Sequence, residues 1–509
     1  MTKANPVLSQ ISSRLPAFLQ TPAAARTLRA VLFVLAMLVP IASLLYVPIF
    51  IEKPLDHFTP NYWNDEVGYW RYVDTFRVAG FESGYHVFEE RIPTLRFSHF
   101  DVHGPFYPMF IGTIARFTGW TFVTPIYINV ALISLAVGLC MWITRMSSLQ
   151  IFMMMVLIAS FWIIPLHSMG ISQEPLHQAF AIVMGGIFGY LLQHRTLNKI
   201  QTALLMAVIL YMAFIRVQWA LVIFPLWLLR TPRITLWTVL QATLLTGVFA
   251  SGGYLMFTLT ASPGGSSITA AMEALRTNFF EGVGKLLETM RLNTEKVFAQ
   301  LGMTILTSQL LLALGILSGI FVIARNTRSY LSALFHSYNL GLVLLLALLL
   351  YLPNGYARVW GVCLLISLIV IIVQKQYRLF ATLFLITLFF FPAFVLEYNQ
   401  WQGDFLFNPI VVQAEREKMA TLVEVDLTLD AWCNTVLFDV ALYNYRALLF
   451  PSEMGLAWYY PTEFPDLPIK SKYIYSQYEM PSELRLELIA EAPFGGSGNL
   501  YRNLDANCP

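Results

Sequence analysis

The feature that most constrains this chain is a series of apolar runs separated by short basic turns: Ala30 to Phe50, Phe122 to Thr144, Ile151 to Ser168, Pro175 to Leu192, Thr202 to Ile215, Ala220 to Leu229, Leu236 to Thr258, Leu301 to Ile323, Leu334 to Leu352, Val359 to Val373 and Leu379 to Leu396. A helix needs about 20 predominantly apolar residues to cross a bilayer, where each backbone polar group must be satisfied within the segment. The pattern predicts an all-α polytopic membrane protein of about eleven transmembrane helices. Composition agrees, because 57% of the 509 residues are hydrophobic and 12% are charged, with a mean hydropathy of +0.62; soluble domains carry about 25% charge. A formal net charge of +2 supplies no basic field for nucleic acid, which is excluded as a partner.

Charge placement orients the runs, since Lys and Arg are retained on the cytoplasmic side. Lys3, Arg14, Arg26 and Arg29 precede the first run, so residues 1–29 are predicted to be cytoplasmic and the run itself a retained anchor rather than a cleaved signal. Arg145, Arg195 with Lys199, Arg230 with Arg233, Arg325 with Arg328, and Lys375 with Arg378 then fall at alternate ends. The transmembrane domain is expected over 30–396, with outer loops 51–121 and 261–300. The short runs on either side of Arg216-Val217-Gln218-Trp219 are expected to meet at a polar apex.

Residues 397–509 are charged, rich in Tyr and punctuated by Pro451, Pro461, Pro465, Pro468, Pro481 and Pro493. This suits a small extracytoplasmic C-terminal domain, α/β or irregular. Cys433 and Cys508 fall in it, as a disulfide or as two thiols; Cys140 and Cys363 fall in the apolar runs and read as packing residues. No Asn-X-Ser/Thr sequon occurs, which favours a bacterial envelope, and with the charge placement the expectation is an inner-membrane protein whose active site and C-terminus face the periplasm.

The chemistry-bearing residues gather outside. The first outer loop opens on Trp63-Asn64-Asp65-Glu66, where Asn64 to Phe76 suits a helix lying flat on the bilayer. It continues to His99-Phe100-Asp101-Val102-His103-Gly104-Pro105, after which Phe106 to Phe117 is apolar but too short to cross. Adjacent carboxylates against a low-dielectric wall suit acid–base work, with one pKa raised or with both acids ionised beside a divalent cation. They equally suit the first turn of a helix. His99 and His103 stand four apart, but Pro105 spoils a helical register for metal binding, leaving His99 interfacial and His103 at a cavity mouth.

Ser172-Gln173-Glu174-Pro175 places a carboxylate at the start of the fourth run, with His177 read as structural. Arg216 and Arg358, at the same ends of two other runs, are costly in lipid unless they face water, a partner or an anion such as phosphate. The Gly-rich start of Ala261 to Gln300 suits a lid or an ordinary long loop. No phosphate-cradling Gly-rich loop, CxxC pair or HExxH helix is present.

Together, the Asp65-Glu66 pair after the first span, the element His103 to Pro108, the acid of the second outer loop and a many-span body with an extracytoplasmic tail resemble the GT-C superfamily of membrane glycosyltransferases. That superfamily includes bacterial aminoarabinose transferases and protein O-mannosyltransferases. The resemblance covers roughly the first 400 residues. It implies an inverting transfer from a polyprenyl-phosphate sugar to an extracytoplasmic acceptor, which could be an envelope glycan, lipopolysaccharide or a protein.

By that resemblance Asp65 would be the base with Glu66 beside it, His103 and Glu174 would line the cavity, and Arg216 and Arg358 would hold the donor phosphate. A divalent cation, Mg or Mn, would sit at Asp65 and Glu174. A transporter or flippase of the same lipid-linked sugar is the alternative, and a non-catalytic scaffold a third. The enzyme reading requires Asp65, Glu174, Arg216 and Arg358 to converge.

Overall fold

The computed structural model describes residues 21–50, 64–81, 87–89, 103–260, 277–299, 329–350, 357–381, 408–439, 445–459, 469–477, 484–493 and 498–508, apart from residues 162 and 232, with a few isolated positions in addition. It is mostly helical. In chain order the helices are α1 (Pro22–Phe50), α2 (Asn64–Ala79), α3 (Phe106–Thr118), α4 (Thr124–Thr144), α5 (Ser148–Ser160), α6 (Ile163–Ser168), α7 (Glu174–His194), α8 (Lys199–Ile215), α9 (Ile223–Arg230), α10 (Leu236–Thr260), α11 (Phe279–Ala299), α12 (Tyr330–Leu350), α13 (Ala357–Val373) and α14 (Pro409–Ala420).

Among the described residues four helices are long and apolar enough to cross a membrane: Pro22–Ile49, Thr124–Thr144, Glu174–His194 and Leu236–Thr260. Five shorter apolar helices accompany them. The runs Leu301 to Ile323 and Leu379 to Leu396 lie almost wholly outside the described residues.

Prolines explain where the helices depart from the expected spans. A proline has no N–H, and its ring collides with the carbonyl four residues back. The run Ile151 to Ser168, expected as one span, divides into α5 and α6 at Phe161, four residues before Pro165. Pro225 frees the carbonyl of Leu221 in the same way, and the Tyr338 hydroxyl donates to that oxygen at 2.7 Å. The short runs around Arg216 become α8, a 3-10 segment over Val217–Val222, and α9.

Helix α7 is the centre of the bundle, packed between α4 and α13. Its glycines let the backbones close. A Cβ at Gly185 would stand 2.9 Å from Ile369, one at Gly189 2.7 Å from Val373, and one at Gly186 2.9 Å from the Cys140 sulfur.

At one end, the last carbonyls of α13 would be left without partners. Gln150 donates to Ile372 and Val373, both at 3.0 Å, and Gln193 donates to Val373 at 2.8 Å. Arg195 donates to the Thr231 carbonyl nearby at 2.8 Å. The turns that carry Arg145, Arg195, Arg230 and Lys375 therefore share one end, and the starts of α7 and α13 lie at the other.

The C-terminal region builds a six-stranded sheet, settling the α/β-or-irregular alternative in favour of β structure with one helix, α14. Its strands are β1 (Val87–Glu89), β2 (Thr435–Asp439), β3 (Gly455–Tyr459), β4 (Tyr473–Ser476), β5 (Leu486–Ala490) and β6 (Asn499–Asn503), ordered β1-β3-β2-β4-β6-β5. The pairs β1/β3, β3/β2 and β2/β4 are parallel and the last two antiparallel. Val436, Leu437 and Phe438 are all buried, as are Tyr473, Ile474 and Tyr475, because central parallel strands bury both faces. Cys433 and Cys508 form a disulfide with Cα atoms 5.5 Å apart, and Cys140 and Cys363 are buried free thiols.

Two features tie this domain to the first loop, so that it is less separate than a boundary at residue 397 implies. Strand β1 comes from that loop and pairs with β3. Helix α2 lies between the bundle and the sheet domain, and its buried Arg71 donates to the carbonyls of Ala447, Phe450, Pro451 and Met454 at 2.7–2.9 Å. Asp74 adds ion pairs at 2.7 Å to both Arg77 and Arg416 and accepts a hydrogen bond from Ser452. Burial alone would raise this carboxyl, but Arg416, the Ser452 hydroxyl and Arg77 outweigh it and hold Asp74 below the usual carboxylate range.

Candidate active site

Three chain breaks meet at the end of the bundle away from the basic turns. Glu174 is the first residue of α7, followed by Pro175, which suits a helix start because its missing N–H would have no partner there. Arg216 leaves α8 in an extended conformation, φ −151° and ψ 109°, and so swings out of the helix. Arg358 lies in the first turn of α13.

Their side chains converge. Glu174 Oε1 accepts from Arg216 Nη2 at 2.9 Å and lies 3.5 Å from Arg358 Nε. The carboxylate side chain is 1% exposed, against 18% and 12% for the arginines. Removing charge from water is tolerated only where partners replace the solvent. Here two guanidiniums face one carboxylate, an excess of one positive charge. Glu174 is the sole acidic residue between Asp101 and Glu273, so its placement is not one choice among many. Its Oε2 and Arg216 Nη1 are buried with no hydrogen-bond partner among the described residues.

The surrounding groups belong to α2, α3, α7, the turns before α3 and α7, and the 3-10 segment after Arg216. Trp219 Nε1 donates to His177 Nδ1 at 2.8 Å, joining the segment after Arg216 to the second turn of α7. The Tyr107 hydroxyl donates to the Ser172 carbonyl at 2.9 Å. Burial, with Glu174 and Glu66 both nearby, holds this phenol well above its usual range. Tyr69 sets its ring 5.0 Å from His103 and 5.3 Å from Tyr107. Gly104, at φ +73°, makes the left-handed turn from His103 into α3.

Glu66 is buried on α2 and presses against the turn before α7. A Cβ at Gly170 would stand 2.6 Å from Glu66 Oε1, so a larger residue here would push the carboxylate from this position. The same turn is held by Asn129, whose amide donates to the Gly170 carbonyl at 2.9 Å.

The structure thus brings Glu174, Arg216 and Arg358 into direct contact, and sets Glu66 and His103 around Tyr107 beside them. Asp65 lies in the first turn of α2, but its side chain, like His99 and Asp101, lies outside the described residues. Tyr107 and Trp219 stand in segments singled out from the sequence, yet nothing in an apolar helix start or a Trp after an arginine marks them as neighbours of a carboxylate.

Of the divalent cation expected at Asp65 and Glu174, only the Glu174 side lies among the described residues, and its surroundings do not favour a metal ion. Among the described residues no group of three or more His, Cys, Asp or Glu side chains converges, and Glu174 already faces two guanidinium charges that would repel a metal ion. Compared with known protein families, with curated proteins and with solved structures, the chain matches none.

Proposed function

We propose that this chain is a membrane glycosyltransferase of GT-C type, which moves a sugar from a polyprenyl-phosphate donor to an acceptor outside the cytoplasmic membrane of a bacterium. The observation that supports it most is the buried Glu174 oxygen shared by Arg216, just beyond α8, and Arg358 of α13, with Arg216 Nη1 holding no hydrogen-bond partner among the described residues. Forked donors with one charge in excess suit a phosphate, whose oxygens take parallel N–H bonds. Their place at one end of an apolar bundle suits a phosphate carried on a lipid.

In the proposed reaction a carboxylate of the Asp65–Glu66 pair takes the proton from an acceptor hydroxyl, whose oxygen bonds to the anomeric carbon from the face opposite the phosphate. The bond from that carbon to the phosphate oxygen breaks, and the configuration inverts. The phosphate leaves with the electron pair, and Arg216 and Arg358 stabilise the charge it gains. Glu174 keeps the two guanidiniums apart and aimed when no donor is bound. No step needs a metal ion. The acceptor, whether envelope glycan, lipopolysaccharide or protein, meets the outer-loop side of the site.

A flippase of the same lipid-linked sugar would place such charges along the middle of the bundle. Their collection at one end favours transfer. The test is donor consumption in membranes carrying Asp65→Asn or Glu66→Gln with labelled lipid-linked sugar. Loss of transfer by about a hundredfold in one of them identifies the base, and full transfer in both refutes this mechanism.

A further inference from the structure

Gln173, next to Glu174, is 1% exposed and precedes α7 without capping it through its side chain. Its amide oxygen lies 3.5 Å from His177 Nε2, and the other ring nitrogen of His177 accepts from Trp219 at 2.8 Å. The order of protons along this chain follows from chemistry. An indole N–H only donates, so His177 Nδ1 is bare and the imidazole proton resides on Nε2. That proton points at Gln173, which must meet it with its carbonyl oxygen. The amide nitrogen is then left over, and it is buried with no hydrogen-bond partner among the described residues.

A buried amide donor with no acceptor is costly, so the position calls for a group that accepts from it. Arg216 Nη1, also without a partner among the described residues, belongs to the residue that pairs with Glu174, Gln173's neighbour. The two stranded donors are therefore held on side chains one residue and one ion pair apart.

We infer that Gln173 is a ligand-binding residue of this site, donating its Nε2 hydrogen to a phosphate oxygen held at Arg216, and that Trp219 and His177 are positioning residues that fix the amide in that orientation. The inference rests on the proposal that the site takes a lipid phosphate. Trp219 acts at a distance: without its N–H, His177 can move its proton to Nδ1, and the Gln173 amide loses the bond that orients it.

The test is binding of labelled polyprenyl monophosphate, without sugar, to the full-length protein in detergent micelles. Gln173→Leu is expected to weaken binding about tenfold. Gln173→Glu, which keeps the acceptor toward His177 and replaces the donor with a negative oxygen, weakens it at least as much. It decides the matter should the leucine variant fail to fold, as judged by its melting temperature in the same micelles.

Trp219→Phe is expected to weaken binding severalfold in the natural background and to add nothing to Gln173→Leu, because both act through one amide. Purely additive losses would overturn the positioning role. Unchanged binding by both Gln173 variants, with binding lost in Arg216→Leu, would overturn the role of Gln173 and leave the phosphate site standing. Failure of the natural protein to bind the probe would overturn the phosphate site and this inference together.

Discussion

Glu174 and Arg216 meet at 2.9 Å through atoms supplied by the first residue of one helix and the residue just beyond the end of another, 42 positions apart. The pair welds the start of α7 to the break after α8. Breaking a buried ion pair from one side leaves an uncompensated charge at a cost of about 3–5 kcal/mol, whereas removing both partners costs less. Glu174→Leu, which leaves Arg216 and Arg358 facing each other, should lower the melting temperature in detergent more than the Glu174→Leu/Arg216→Leu double variant does, whereas Arg216→Leu leaves Glu174 still paired with Arg358 and costs least. Additive losses would show that the pair contributes little.

Gly170→Ala should disturb the site without replacing a charged residue. Its Cβ would stand 2.6 Å from Glu66 Oε1, so the carboxylate must move. Overpacking of this kind costs about 1–3 kcal/mol. The expected outcome is a modest drop in thermal stability together with a larger loss of donor consumption, and an alanine variant of natural activity would contradict the placement of Glu66.

Arg71 is expected to hold the sheet domain against α2. Its four hydrogen bonds to backbone carbonyls use the planar fork of a guanidinium, which an ammonium cannot reproduce. Arg71→Lys and Arg71→Met should both raise amide exchange in residues 445–459 and in α2, with little change at the basic end of the bundle. Uniform protection in both variants would show that the clamp is dispensable.

Much of the helical frame is legible in the sequence, and the reasons are local. The helices expected at Asn64 to Phe76 and Phe106 to Phe117 form as Asn64–Ala79 and Phe106–Thr118, and the break at Arg216 forms where the apolar runs stop. What is not legible depends on partners distant in the chain. Val87–Glu89 becomes a strand only because β3 lies beside it, some 370 residues on, and the sheet is mainly parallel, so its strands cannot announce themselves as hairpins. Arg71 reads as one polar residue of an interfacial helix until the turn that it holds is seen. The arginines read as phosphate ligands from their cost in lipid, but that cost does not reveal that Glu174 lies between them.

The docking of the sheet domain should depend on acid. Asp74 is held below the usual carboxylate range in the fold, so it contributes stability above its unfolded value of about 3.9, and this is lost as the pH falls through the lower folded value. Exchange in residues 445–459 should therefore stay slow from neutral pH to about 4 and rise below it. Asp74→Asn should exchange faster at neutral pH and lose most of that acid response. An unchanged acid response in the asparagine variant would assign it to other groups.

The most direct test of the central claim is turnover of a labelled polyprenyl-phosphate sugar by the purified protein in liposomes, with envelope extract as acceptor. The natural protein is predicted to release polyprenyl phosphate and pass the label to an acceptor, and Arg216→Leu is predicted to slow this by about a hundredfold, as when a transition-state charge loses a donor. Equal turnover by Arg216→Leu and the natural protein, or none by the natural protein, would contradict it.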